Sequence, residues 1–357
     1  MRVAVLGVGL IGGSIGLAAR KCVQGSEVVG FGRSRERLDR ARELGAIDRA
    51  AGSIEEALDG AAICFCCAPV GALGEQIDAA LAAADDDCVV SDVGSIKGGL
   101  VEAAADRRFV GGHPIAGAET AGVDHARPEL FQGATWYLTP TADTSGVLFE
   151  RLHRFIAALG ARPVAIDADS HDRLLATVSH LPHVLANTLV TQAAGALGDQ
   201  DAGLPRVGPS FRDATRVAGA NSAIWTDIYV ANRDAIAAEV DAVVERLREA
   251  ADLLRTGEPE PIAAWNERAA EARRQLLEAD LAGGVVHELR TTVPNRPGIV
   301  AEVALALGKA GVNIVDMALA PAPDMRSGAI TLWIAGDDQA ERARGLIDDL
   351  GFPVAEA

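Results

Sequence analysis

Over the first 166 residues, short apolar runs alternate with longer stretches in which apolar side chains return every three or four positions. The runs at 2–6, 27–31, 62–67, 88–92, 108–111, 135–138 and 162–166 are expected to be strands. Between the first of them lie amphipathic stretches such as SRERLDRARELG, with the period of a helix. Strands that alternate with helices build a parallel sheet covered on both faces. From residue 169 to about 281 the strand pattern disappears and long helical stretches take over. HDRLLATVSHLPHVLANTLVTQAAGAL and AIWTDIYVANRDAIAAEVDAVVERLREAADLLR are the main ones. The second is far longer than an average globular helix. Its apolar stripes lie on more than one face, so packing against a partner, and hence a homodimer, is expected. Residues 285–357 return to a mixed pattern in the order βαββαβ, a ferredoxin-like module, after the boundary sequence DLAGG. The expected division is an α/β domain (1–168), an all-helical domain (169–282) and a small βαββαβ domain (285–357).

The first strand runs directly into G-x-G-x-x-G, formed by Gly7, Gly9 and Gly12 at the start of a helix. In that setting the motif specifies a Rossmann-type dinucleotide-binding domain. The first glycine permits a tight turn, the second lets the backbone approach a pyrophosphate, and the third allows close helix–sheet packing. The helix start, with Leu10 and Ile11, adds partial positive charge; Gly13 and Ser14 continue the pattern. NAD-specific folds usually carry Asp or Glu at the end of the second strand. This chain has GFGRSRER, with no carboxylate before Glu36. Arg33 and Ser34 suit a 2′-phosphate, through a charge-assisted fork and a hydroxyl donor. NADP is therefore favoured over NAD; on the other reading Arg33 and Arg35 are exposed helix-start residues.

Composition narrows the class. At 357 residues the chain is long enough for two or three domains. With 49% apolar and 23% charged residues it is globular. No apolar run is long enough to span a bilayer, and MRVAVLGVGL reads as a first strand, not a signal peptide. A net charge of −17 argues against nucleic acid or an anionic membrane as partner. An acidic substrate would need a local cationic site. The five cysteines (Cys22, Cys64, Cys66, Cys67 and Cys88) offer no His or second Cys pair at ligand distance from the Cys64–Cys67 run, so no metal is expected. They read as reduced thiols, which fits a reducing cytoplasm. Lysine occurs only at positions 21, 97 and 309. Lys97 reads equally as a cleft residue or as a solvated lysine at a helix start.

Residues 109–123 spell FVGGHPIAGAETAGV. Its glycines leave room for a ring beside His113, and a neutral imidazole suits acceptance of a proton. The competing reading is a loop histidine that caps a backbone carbonyl. GLIGGS, DVGSIKGG, GGHPIAG, HDR…SHLPH and FRDATRVA…IW follow one another in that order over about residues 1–280. Together they resemble the prephenate/arogenate dehydrogenase family of tyrosine biosynthesis. The last segment, through NRPGIVAEV…AGVNI, resembles an ACT domain. The resemblance implies hydride transfer from the carbinol carbon of prephenate to a nicotinamide. Loss of carbon dioxide then aromatises the ring to 4-hydroxyphenylpyruvate. One proton must be taken and two carboxylates held.

On that resemblance His113 is the base, and Ser95 hydrogen-bonds either His113 or the substrate hydroxyl. Arg216 is the carboxylate clamp, since a guanidinium matches a carboxylate with two parallel bonds; Arg212 is its solvated neighbour. His183 and Ser179 hold the side-chain end of the substrate from one helical face. Pro182 kinks that helix, and His180 points elsewhere. Trp225 and Asp213 lie in the matching motif beside the substrate site. Asp172 either orients one of these groups or pairs with Arg216. In the last module Asn295, Gly298 and Asn313 mark an effector loop, with tyrosine the natural effector; the other reading makes that module purely architectural. Arogenate dehydrogenase, giving tyrosine directly, stays open because no single residue separates the two substrates. A β-hydroxyacid dehydrogenase would place a lysine base in the helical domain, and residues 169–282 contain none. A non-catalytic nicotinamide and amino-acid sensor would not require Ser95, His113, His183 and Arg216 together.

Overall fold

A computed structural model describes the chain except at positions 117–119, 198–206, 281–285, 295, 297–298, 311, 313, 323–325 and 356–357. It divides into two compact units, Met1–Val244 and Glu245–Ala357. The first unit opens with β1 (Arg2–Leu6), α1 (Leu10–Cys22), β2 (Glu27–Phe31), α2 (Arg35–Glu43), β3 (Arg49–Ala50) and α3 (Ile54–Leu58). The sheet continues through β4 (Ile63–Cys66), α4 (Val70–Ala83), β5 (Val89–Asp92), α5 (Gly98–Ala104) and β6 (Phe109–Pro114). It closes with β7 (Thr135–Thr139), α6 (Gly146–Ala158) and β8 (Arg162–Ala165). Strand order is β3-β2-β1-β4-β5-β6-β7-β8. All neighbours are parallel except β6 and β7.

Alternate residues of β1 feed two cores. Val3 and Val5 pack with Phe65 and Trp136 on one face, and Ala4 and Leu6 with Cys64 and Leu73 on the other. Burial on both faces is why these strands read as unbroken apolar runs. Strand order reverses between β1 and β4, so a crevice opens there at the carboxyl ends of the strands. The two-residue β3 was too short to register as a run.

Past the sheet come α7 (Ala168–Leu175), a π-helical turn at Ala176–His180, α8 (Leu181–Leu197), α9 (Pro209–Thr215), α10 (Ser222–Ala231) and α11 (Arg233–Thr256), within which the division falls. Where a kink was expected, a π turn stands just ahead of Pro182, which has no N–H to donate to the preceding turn. The long stretch expected as one helix is two. Asn232 breaks it, because its side-chain amide turns inward to the Asp172 carbonyl at 2.8 Å.

The second unit continues with α12 (Pro259–Asp280), β9 (Val286–Pro294), α13 (Ile299–Lys309), β10 (Ile314–Pro321), β11 (Ser327–Ala335), α14 (Asp337–Asp349) and β12 (Val354–Ala355). Its four strands form an antiparallel sheet in the order β10-β11-β9-β12 around Leu289, Val303, Leu307, Ile330, Leu332 and Ile347. The βαββαβ order expected from the sequence is found. Asn295, Gly298 and Asn313 lie outside the described residues. No helix among the described residues is long and apolar enough to cross a membrane.

Candidate active site

The glycine turn sits in the crevice between β1 and β4. Gly7 has φ +104°, and a Cβ there would lie 2.9 Å from the Cys67 carbonyl oxygen. A Cβ on Gly12 would come within 2.2 Å of the Gly7 oxygen. Gly9 differs: a Cβ there would meet nothing within 4 Å. Gly9 caps α1 without a side chain, so the amides of Leu10, Ile11 and Gly12 open onto that space. This is a cradle for a diphosphate, and the residues present fit a dinucleotide. Gly13 and Ser14 serve a different end. A Cβ on Gly13 would strike Val123 at 2.9 Å, and Ser14 Oγ accepts the Arg127 N–H at 3.0 Å. They seat the returning loop between β6 and β7. At the end of β2, Ser34 is the N-cap of α2, its Oγ accepting from Arg37 N at 3.3 Å. Arg33 beside it is exposed.

His113 lies on β6 past its parallel pairing with β5, opposite Tyr137 of β7, and is 8% exposed. Burial, then the Lys97 charge, holds it well below the ordinary histidine pKa, so the ring is neutral. Its Nδ1 lies 3.0 Å from Nε2 of His171, whose Nδ1 lies 2.8 Å from Asp172 Oδ1. Asp172 also accepts Lys97 N–H and Gly98 N–H, each at 2.8 Å. Burial would raise this carboxyl; the bonds from His171, Gly98 and Lys97 outweigh it and hold the group low. The solvated reading of Lys97 does not hold: its ammonium is wholly buried and paired with Asp92, and its charge bears on His113. Ser95, on the same turn, is half-buried and makes no hydrogen bond to His113 among the described residues.

A second cluster gathers on α8 and α10. His183 is buried and stacks on Trp225, with ring centroids 3.6 Å apart and planes 6° apart. Its Nδ1 is paired with the Tyr229 hydroxyl, while its Nε2 is buried without a hydrogen bond among the described residues. His180 does not point away. It meets Trp225 edge-on at 6.0 Å, and its Nδ1 lies 3.2 Å from the Asn232 amide. His180 and His183, three positions apart, are neighbours on one helical face and both reach the Trp225 ring. Burial pushes His180 down to about 4. Ser179 is half-buried; Arg212, Asp213 and Arg216 are exposed. The turn beginning at Arg216 packs against α8.

Residues 15–165 match the model for the prephenate dehydrogenase nucleotide-binding domain, and 167–267 that for the prephenate dehydrogenase dimerization domain. The cyclohexadienyl dehydrogenase of Zymomonas mobilis is 33% identical over 251 residues, 69% of this chain and 86% of that protein. The chain belongs to the prephenate dehydrogenase family. The prephenate dehydrogenase of Bacillus subtilis is 28% identical over 353 residues, 97% of this chain and 95% of its own length, so that likeness extends through the βαββαβ module. The solved prephenate dehydrogenase of Aquifex aeolicus, in complex with hydroxyphenyl propionate and NAD+, superposes with a TM-score of 0.73 at 27% identity. It covers 77% of this chain and 98% of its own. The family and dehydrogenase activity expected from the sequence are therefore borne out, with a nicotinamide as cofactor. His171 was missed in the sequence, although it stands beside Asp172 in the quoted HDR. Tyr229 and Asn232 carried no signal beyond their helical spacing.

Proposed function

We propose that the protein oxidises prephenate to 4-hydroxyphenylpyruvate with loss of carbon dioxide, and that NADP is favoured over NAD. The observation that carries this reading is a buried, neutral histidine, His113, past the end of a parallel pairing in a dinucleotide-binding sheet. Leu10, Ile11 and Gly12 receive the pyrophosphate above Gly9, and Arg33 with Ser34 binds the 2′-phosphate. Bound there, the nicotinamide supplies the hydride acceptor. His113 takes the proton of the substrate hydroxyl, and Ser95 hydrogen-bonds that hydroxyl. Arg216 positions the ring carboxylate, with Asp213 as its support. A very tight grip there would stabilise the substrate more than the transition state, because the carboxylate leaves as neutral carbon dioxide. Aromatisation drives that step. His183 and Ser179 hold the side-chain end against Trp225.

The helical segment forms a homodimer on this reading, supported by the exposed apolar residues Val178, Leu185 and Leu189. The βαββαβ module binds an amino-acid effector, tyrosine, as an ACT domain. Five free cysteines fit a reducing cytoplasm. The test is nicotinamide reduction by the purified protein with prephenate, offered NADP or NAD separately. Faster turnover with NADP supports the whole reading. Faster turnover with NAD removes the role given to Arg33. Turnover with arogenate alone would replace the substrate.

A further inference from the structure

His171 has no solvent exposure, and both its ring nitrogens are engaged. The protons on this chain of groups can be placed from its fixed end. Asp172 receives two backbone N–H groups at the start of α5 and is ionised, so it can only accept. His171 Nδ1 therefore carries a hydrogen and donates it to Asp172 at 2.8 Å. With that one hydrogen on the ring, Nε2 is a lone pair, and His113 Nδ1, 3.0 Å away, is its donor. That leaves Nε2 of His113 as an acceptor. Packing fixes the tilt as well as the proton. The His171 ring meets His113 edge-on at 5.2 Å and Tyr137 at 5.7 Å, and these two are opposite residues of β6 and β7.

We propose that His171, held by Asp172, is a positioning residue that sets the tautomer of His113 and presents its Nε2 as the base. This rests on His113 being the base, as proposed above. When His113 accepts the hydroxyl proton, both its nitrogens carry hydrogen. Its bond to His171 becomes charge-assisted, and the Asp172 carboxylate stabilises the new imidazolium through the intervening ring. No proton has to leave His171 for this to work.

The test uses the full-length protein with prephenate and NADP, and compares H171L, H171Q, D172N and H113N. Leucine removes the acceptor for His113 Nδ1–H while filling the space; glutamine restores an acceptor through Oε1. H171L is expected to lower kcat about 10–100-fold with KM for substrate and cofactor near wild type, and to move the acid limb of the pH profile. H171Q is expected to recover much of that loss. Wild-type kcat in H171L overturns the proposal. So does an H171Q as slow as H171L, with both KM values raised and melting temperature lowered together, which would mark a structural role. Should H171L fail to fold, D172N removes the ionised anchor at almost unchanged volume, and wild-type kcat with an unmoved acid limb there overturns it too. Loss of turnover in H113N with full turnover in H171L would sink this inference alone. Turnover retained in H113N would sink the base assignment itself.

Discussion

Asp92, at the end of β5, and Asp172, in α7, each collect two backbone N–H groups, and both touch Lys97. Asp92 accepts from Gly94 at 2.8 Å and Gly112 at 3.0 Å, and its third partner is the Lys97 ammonium. Asp172 accepts the N–H of Lys97 itself and that of Gly98, and its third partner is His171. The third partner decides what each carboxylate can do. An ammonium cancels the charge and ends the network, so the Asp92 side is a closed structural clamp between the ends of β5 and β6. An imidazole has a second nitrogen and passes the influence on to His113. Two carboxylates with similar sets of partners therefore divide into a stabilising and a catalytic half.

The largest effect is expected where the closed half is opened. Asp92→Asn strands a wholly buried ammonium, and removing one partner of such a pair typically costs about 3–5 kcal/mol. Denaturant unfolding should show that loss. Adding Lys97→Met should recover a good part of it, since an apolar replacement of similar size needs no partner. Asp172→Asn should cost less stability, because it strands no buried ammonium. An Asp92→Asn protein as stable as wild type would mean that the pair is not closed in solution. On the other half, His113→Asn should lower kcat by roughly 10²–10⁴-fold while cofactor affinity stays near wild type. Steady-state kinetics beside a cofactor titration checks both numbers.

The same division explains what was legible in the sequence. The cofactor turn is made of backbone, so its requirements appear as glycines at fixed spacing directly after a strand, and Gly7, Gly9 and Gly12 stand where the motif placed them. The sheet was equally readable, because burial on both faces leaves continuous apolar runs. His113 was visible for its odd company of glycines. Its partner was not: His171 comes from α7, 58 residues on, and only the fold brings the two rings together. Lys97 misled for a related reason. A lysine at a helix start is usually solvated, and nothing local says that Asp92, five residues earlier, faces it inside the core. In the helical region the π turn and the break at Asn232 were not legible, since neither changes the apolar pattern.

Two buried histidines should also make stability depend on pH. His113 and His180 are both held neutral by burial, His180 with a pKa of about 4. In the unfolded chain they titrate near about 6.5. As pH falls below that value the unfolded state binds protons that the native state refuses, so stability is lost downward from about 6.5 and levels off near the native pKa. Each such histidine contributes a slope of up to about 1.4 kcal/mol per pH unit in that window. Melting curves from pH 7 to 4 should show it, and His180→Gln should flatten the slope. For catalysis the sign favours the enzyme: a depressed His113 remains unprotonated below pH 6.5, so the acid limb of kcat/KM should lie well below the usual histidine range. An acid limb at or above 6.5 would mean that His113 is solvated in the working state.

The smallest effect is expected at the cofactor end, where the discriminating group is exposed. Ser34 accepts the Arg37 N–H as an N-cap, and its hydroxyl hydrogen stays free to donate to a phosphate but carries no charge. Selectivity for the 2′-phosphate then falls chiefly on Arg33, whose exposure screens it. Arg33→Gln should therefore raise KM for NADP by roughly tenfold and leave kcat and KM for NAD nearly unchanged. Ser34→Ala should also fray the start of α2, at about 1 kcal/mol of stability, and weaken NADP more than NAD. If Arg33→Gln changes neither KM, the arginine is a solvated helix-start residue and the preference for NADP has no anchor at the end of β2. Salt sharpens the distinction: an exposed arginine–phosphate contact should lose most of its discrimination between low salt and about 1 M, whereas the backbone cradle above Gly9 should not.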